Sequence, residues 1–284
     1  MRNLVLTLFL LAALCPAQSF EPVTTLPDWV SVEANVPYDQ YKETVLDIMQ
    51  PKAAATGKRP GMLVIHGGGW VGGTKEQVVE SFCLPYVEKG FVVANVEYRL
   101  AKVAPAPAAV MDVLKAADWF RRNAGRYNVD GKRIAVIGNS AGGHLALMVG
   151  MASKSAKLGP TGKVAAVINI YGISDVADQL GGPNTRDYAV TWVPDEPGRL
   201  ELARRVSPMT YVRRDLPPIL TVHGDADETV PYEHGTNLTK ALRQAGATAE
   251  MISVPQGKHG FSKEQWAGVL PQIFKFLERH RILR

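Results

Sequence analysis

An α/β architecture is predicted for this chain: a mostly parallel sheet of eight strands with helices on both faces. Three observations predict it. Short β-rich runs alternate with longer helix-compatible stretches from residue 62 to the C-terminal region, the pattern of parallel strands joined by covering helices. A strand gives way directly to a helix at Gly138-Asn139-Ser140-Ala141-Gly142, and a second strand runs straight into His66-Gly67-Gly68-Gly69-Trp70. Both junctions are sharp loop geometries at a strand end.

The leading segments Ser31 to Val36 and Glu43 to Met49 alternate well enough to be antiparallel strands. The parallel strands are then Met62 to His66, Phe91 to Tyr98, Arg133 to Ile137, Val164 to Tyr171, Ile219 to His223 and Ala249 to Val254. Lys75 to Glu88 reads as a helix, with Cys83 between Phe82 and Leu84 as a buried structural thiol. Ala109 to Arg126 places Val110, Val113, Leu114, Ala117 and Phe120 on one helical stripe, and Leu238 and Leu242 do the same in Asn237 to Gln244. Phe274 to Arg284 is a charged terminal helix. Neither repeats nor a long linker interrupt the pattern, so residues 18 to 284 read as one domain.

Composition agrees with a single large core: of 284 residues, 46% are hydrophobic and 21% charged. Met1 to Ala17 reads as a secretory signal, with Arg2, an apolar stretch from Leu4 to Leu14, and a small-residue cleavage site ending at Ala17. That stretch is far short of the ~20 apolar residues a membrane span needs. The expectation is therefore a secreted or periplasmic protein with no stable membrane span after processing. Removing the segment removes Cys15 and leaves Cys83 alone, so no internal disulfide is expected. The net charge of +5 comes from scattered basic pairs without aromatic interleaving. This pattern does not indicate a nucleic-acid partner.

The strand-turn-helix around Ser140 is the setting of a nucleophile elbow. So tight a turn leaves no room for side chains two residues either side of the serine, hence Gly138 and Gly142. In the second junction, successive glycines let backbone N–H groups converge on one spot. Gly68 and Gly69, with the N–H of Ala141, are the expected donors to a developing oxyanion. No Lys-Ser/Thr follows the glycines and no G-x-G-x-x-G spacing exists, which argues against a nucleotide loop. His66 is expected to bond within its own loop.

The base is found by elimination if the order along the chain is serine, acid, histidine. His66 and His144 precede or abut the nucleophile and His223 ends a strand, while His280 lies in the charged terminal helix, where exposure is expected. His234 sits near a helix start, where a surface role is expected. His259, in the polar loop Gln256 to Gly260 after the last strand, remains as the base. Its acid partner comes from the loop His223 to Glu228, where Asp225, Asp227 and Glu228 each offer a carboxylate. Spacing does not choose among them, and Asp225 also suits a turn-stabilising role.

Taken together, His66 to Gly69, Glu97-Tyr98-Arg99-Leu100, Pro105 to Val110, Arg133 to Gly143 and His223-Gly224-x-x-Asp227 resemble the α/β-hydrolase serine esterases, within them the hormone-sensitive-lipase-like and acetyl-esterase group. The resemblance implies Asp227 as the triad acid and matches His259 within Gly257 to Phe261. It implies no metal and no cofactor. Two features depart from that group: Asn139 stands where many members carry aspartate, and the N-terminal cap helices are absent. Trp70 after the glycines is more similar to compact secreted feruloyl and acetyl-xylan esterases and to kynurenine formamidases. The sizeable insertion Ile173 to Arg205 is expected to form a partial lid; Trp70, Trp192 and Phe261 are candidates to line the substrate cleft, although for each of these aromatics ordinary core packing is the stronger expectation. The expected substrate is a short-chain acyl ester, with acetyl or feruloyl groups on plant polysaccharides as the favoured class. A general carboxylesterase, an amide or formamide hydrolase using the same residues, and a non-catalytic binding protein are the alternatives.

Overall fold

The computed structural model of the chain describes residues 26–284, so the expected signal segment lies outside the described residues. Eight strands, β1 (Val30–Pro37), β2 (Val45–Pro51), β3 (Arg59–Ile65), β4 (Val92–Val96), β5 (Val129–Asn139), β6 (Ala166–Ile170), β7 (Ile219–Gly224) and β8 (Ala249–Val254), form one sheet in the order β1-β2-β4-β3-β5-β6-β7-β8. β1 and β2 pair antiparallel, as β2 does with β4, and every remaining pair is parallel. The helices are α1 (Leu84–Glu88), α2 (Ala108–Arg122), α3 (Ala141–Met151), α4 (Asp187–Trp192), α5 (Arg199–Arg205), α6 (Glu233–Gln244) and α7 (Lys263–Arg279). This is the α/β-hydrolase arrangement expected from the sequence.

The central strands are apolar throughout because both sheet faces are covered. Leu63, Ile65, Ala94, Val96 and Val136 pack with Leu145 of α3, Val113 of α2 and Leu238 of α6. Their neighbours Met62, Val64, Val93, Ala135 and Ile137 point the other way, onto Val87 of α1 and Ile273 and Phe276 of α7. A side-chain period of two along each strand thus divides one sheet between two cores. The edge strand β1 is mostly exposed and its register breaks between Glu33 and Val36, which limits pairing with another chain.

Three elements differ from the sequence expectation. Lys75 to Glu88 is not one α-helix but a 3₁₀ turn (Lys75–Val78), a π turn (Val79–Cys83) and α1. Pro85 has no N–H to return to the carbonyl of Ser81, so a regular α-helix cannot run through this point. Helix α7 starts well before Phe274, behind a capping box of Ser262 and Gln265. Helix α6 also starts earlier than expected, and His234 is buried within it, 5% exposed. Its expected surface role is therefore corrected: its Nδ1 accepts from the Ser174 N–H at 3.1 Å and its Nε2 lies 3.2 Å from Asp178.

Candidate active site

Strand β5 ends at Asn139 and α3 begins at Ala141, leaving Ser140 alone at the turn with φ 56° and ψ −123°. Such a backbone costs roughly 1–3 kcal/mol in a non-glycine residue and persists only where its surroundings enforce it. Here they do. A Cβ on Gly138 would lie 2.2 Å from the Gly142 carbonyl oxygen, and one on Gly142 would lie 2.1 Å from that of Ile65. The Ser140 N–H is meanwhile held by the Ile170 carbonyl at 2.9 Å.

The loop after β3 approaches the elbow closely. Gly68 has φ 113°, Gly69 φ 60° and Trp70 φ 61°, and the Gly68 carbonyl accepts from Val71 and Gly72 at 3.1 and 2.9 Å. A Cβ on Gly68 would sit 2.1 Å from the Gly72 oxygen, so the curl admits only glycine there. Among the described residues, the N–H groups of Gly68, Gly69 and Ala141 donate to no protein acceptor. Behind them, His66 Nδ1 lies 2.7 Å from the Gly67 carbonyl and Nε2 3.1 Å from Glu97, with the ring stacked on Tyr98 at 4.3 Å. His66 thus braces the loop from beneath.

From the other edge of the sheet, His259 brings Nε2 to 2.9 Å from Ser140 Oγ and Nδ1 to 2.8 Å from Asp227 Oδ2. Asp227 Oδ1 accepts the N–H groups of Thr229 and Val230, each at 2.9 Å. Burial works to raise the pKa of Asp227, but hydrogen bonding from His223 and His259 outweighs it and holds the carboxyl well below the usual carboxylate range. Asp225 is exposed and its carboxylate accepts the Gln256 N–H at 2.6 Å, while Asp227 is the residue bonded to His259. The loops bearing Asp227 and His259 meet through backbone, since a Cβ on Gly224 would lie 2.1 Å from the Gly257 oxygen and the Ala226 N–H donates to that oxygen at 3.0 Å.

Ser140, His259 and Asp227 are therefore brought together, with Gly68, Gly69 and Ala141 beside them. The aromatic candidates divide. Phe261 lines a cavity of about 140 Å³ with Val78, Phe82, Trp266, Asn139 and Tyr171. Trp70 and Trp192 are corrected: both are fully buried in the core and stack on each other at 4.1 Å, and neither lines this cavity. Trp70 carries this buried indole on a backbone with positive φ. The segment 173 to 205 is seated on the core through Ile173, Val176, Trp192, Val193 and Ala203, all fully buried. Tyr188 passes so close to Gly69 that a Cβ there would lie 2.7 Å from its own Cβ.

Sequence reasoning missed Tyr171, which follows β6, is buried with φ 39°, and lies 4.8 Å from the His259 ring and 5.1 Å from that of Phe261. Its place at the C-terminal end of a central parallel strand was the available signal. It also missed His223, fully buried with Nε2 3.4 Å from Asp227 Oδ2. His280 is partly shielded and packs against Phe276 at 4.7 Å, and is not freely exposed as expected.

The profile of the BD-FAE family matches residues 46–242, which include Ser140 and Asp227 and stop short of His259. Esterase LipQ of Mycobacterium tuberculosis is 28% identical over 242 residues, covering 80% of this chain and 57% of that protein. The chain thus spans little more than half the length of that curated relative. Among solved structures, a truncated carbohydrate esterase from gut microbiota superposes with a TM-score of 0.75 at 29% identity, covering 88% of this chain and 96% of that one. A thermophilic esterase, Est2 of Thermogutta terrifontis, gives 0.73 at 25% identity over 90% and 94% of the two chains. With the family profile matching well over half of its length on an α/β-hydrolase fold, the chain belongs to the BD-FAE family.

Proposed function

We propose that the protein is a serine carboxylesterase acting on short-chain acyl esters. The observation that carries this reading is the unbroken relay from Ser140 Oγ through His259 to Asp227, at 2.9 and 2.8 Å. His259 takes the Ser140 proton as Oγ attacks the ester carbonyl. The negative charge that develops on the carbonyl oxygen is met by the N–H groups of Gly68, Gly69 and Ala141. His259 then gives its proton to the departing alkoxide oxygen, leaving an acyl-serine and free alcohol. Water, deprotonated by His259, attacks the acyl-serine and releases the carboxylic acid and Ser140. Asp227 keeps the Nδ1 proton of His259 in place throughout, and the scheme calls on no metal or cofactor.

For the substrate class, we infer acetyl or similarly small acyl groups, including those carried on plant polysaccharides. The cavity of about 140 Å³ beside Asn139 and Phe261 supports this, since a void of that order accommodates a short chain or a single ring. Likeness to a carbohydrate esterase from gut microbiota supports it too. An exported enzyme, cleaved after Ala17, fits a polymeric substrate, and mass spectrometry of the secreted or periplasmic protein would find Gln18 as its first residue.

The test is a set of initial rates on nitrophenyl acetate, butyrate and dodecanoate with acetylated xylan and methyl ferulate alongside. Acetate and xylan deacetylation at comparable rates are expected, with little turnover of dodecanoate. Ser140→Ala should lose ~10⁶ in kcat and keep its fold; a Ser140→Ala protein that retains activity would overturn the reading. Activity confined to nitrophenyl esters would remove the polysaccharide from it.

A further inference from the structure

The backbone of Trp70, at φ 61°, is one that a non-glycine residue adopts only under external restraint. The restraint comes from its side chain. The indole is fully buried, stacked on Trp192 of α4 with 14° between the planes, and its Nε1–H donates to Nδ1 of His144 at 3.1 Å. His144 is itself fully buried, and its Nε2–H donates to the Val206 carbonyl at 2.6 Å. Its ring meets both indoles nearly edge-on, 5.0 Å from Trp70 and 5.5 Å from Trp192. A single neutral tautomer satisfies both hydrogen bonds, and burial pushes the His144 pKa down to about 4, which keeps the ring in that form near neutrality.

The location of His144 gives this contact its meaning. It lies one turn into α3 from the nucleophile, with its N–H bonded to the Ser140 carbonyl at 3.0 Å. Ala141, one oxyanion donor, opens the same helix. Gly68 and Gly69, the other two, belong to a separate loop that immediately precedes Trp70. We propose that His144 is a positioning residue: by accepting the Trp70 indole N–H while tied to Val206, it holds the Gly68-Gly69-Trp70 loop in register with the N-terminus of α3. The two halves of the oxyanion hole then keep their spacing as charge develops, and Trp192 brings the 173 to 205 segment into the same clamp.

This inference rests on the esterase reading of Ser140, and its test separates the two. His144→Leu removes both hydrogen-bonding partners, Trp70→Phe removes only the indole donor while keeping an aromatic ring, and His144→Gln can still accept from Trp70 and donate to Val206. Each variant would be measured for kcat and KM on nitrophenyl acetate, for inhibition by butylboronic acid, whose serine adduct mimics the tetrahedral state, and for its thermal midpoint. His144→Leu and Trp70→Phe should lower kcat roughly 10- to 100-fold with KM nearly unchanged, because misplaced donors act on the transition state. Boronate affinity should fall in step, and His144→Gln should recover most of the rate. Should His144→Leu fail to fold, Trp70→Phe carries the test. A folded Trp70→Phe with wild-type kcat and boronate affinity, or a His144→Gln no better than a folded His144→Leu, would overturn the proposal. Wild-type protein without any esterase activity would instead sink the reading on which it rests.

Discussion

On the nucleophile side of the site, a methyl group added at Gly138 or Gly142 would run into a carbonyl oxygen at 2.2 or 2.1 Å. On the histidine side, Asp227 is aimed by hydrogen bonds from Thr229, Val230 and His259, all between 2.8 and 2.9 Å. The nucleophile itself is placed by crowding; on the histidine side crowding at Gly224 and Gly257 only joins the two loops, and hydrogen bonds aim the carboxylate within them. Crowding fixes Ser140 at a cost in backbone strain and tolerates almost no substitution, whereas a hydrogen-bonded loop holds its carboxylate in place yet accepts changes that keep donors and acceptors matched.

That contrast is open to direct attack. The largest effect is expected from Gly142→Ala, which must displace either the Ile65 carbonyl or α3. Overpacking against backbone should cost more than about 3 kcal/mol and remove activity together with the fold, as denaturant unfolding would record. Asp227→Asn should do the opposite, keeping the thermal midpoint within a few degrees while kcat falls ~10⁴-fold. The asparagine oxygen still accepts from Thr229 and Val230, but its amide nitrogen faces Nδ1 of His259 and selects the wrong tautomer. If Asp227→Asn unfolds the protein, the charge of this carboxylate holds the fold itself and does not merely orient His259.

His144 supplies a third test, through acid. Its pKa is about 4 when folded against about 6.5 unfolded, so the unfolded chain binds the proton first as pH drops. Stability from this group is therefore complete above pH 6.5 and declines between pH 6.5 and 4, by about 2 kcal/mol from pH 7 to pH 5. Urea unfolding of wild type and His144→Gln at those two pH values should show a smaller decline in the variant; equal declines would mean that His144 does not stay neutral in the fold. The smallest effect belongs to Asp225→Ala. Losing one exposed hydrogen bond to the Gln256 N–H should cost about 1 kcal/mol and change kcat no more than a few-fold, and a 10³-fold loss would place Asp225 in the relay.

The same contrast explains what could be read from the sequence. Gly138 and Gly142, and Gly68 in the oxyanion loop, are legible because repulsion acts between backbone atoms and demands a particular residue type at a fixed offset. The parallel strands are legible because burial on both faces demands continuous apolar runs. Asp227 was not distinguishable from Asp225 and Glu228 by spacing, because the choice is made by which N–H groups and which histidine the folded loop presents. His259 emerged only by elimination among the histidines. Trp70 and Trp192 are core residues, as large aromatics usually are; their position beside the glycine loop and in the insertion is what made the cleft an alternative. The broken helix at residues 75 to 88 turns on Pro85, a single residue that leaves the carbonyl of Ser81 without its helical partner among otherwise helix-compatible neighbours.

Cys83, with no exposed surface and its thiol pushed well above the ordinary pKa by burial, amounts to a built-in clock. In a chain beginning after Ala17 it is the sole thiol. A thiol reagent can reach it only while the core between β4, the π turn and α7 stands open, so the labelling rate reports how often that happens under native conditions, without denaturant. Timed in this way, Gly142→Ala and Asp227→Asn would be told apart in one experiment: the first should hasten the clock, and the second should leave it running at its original pace.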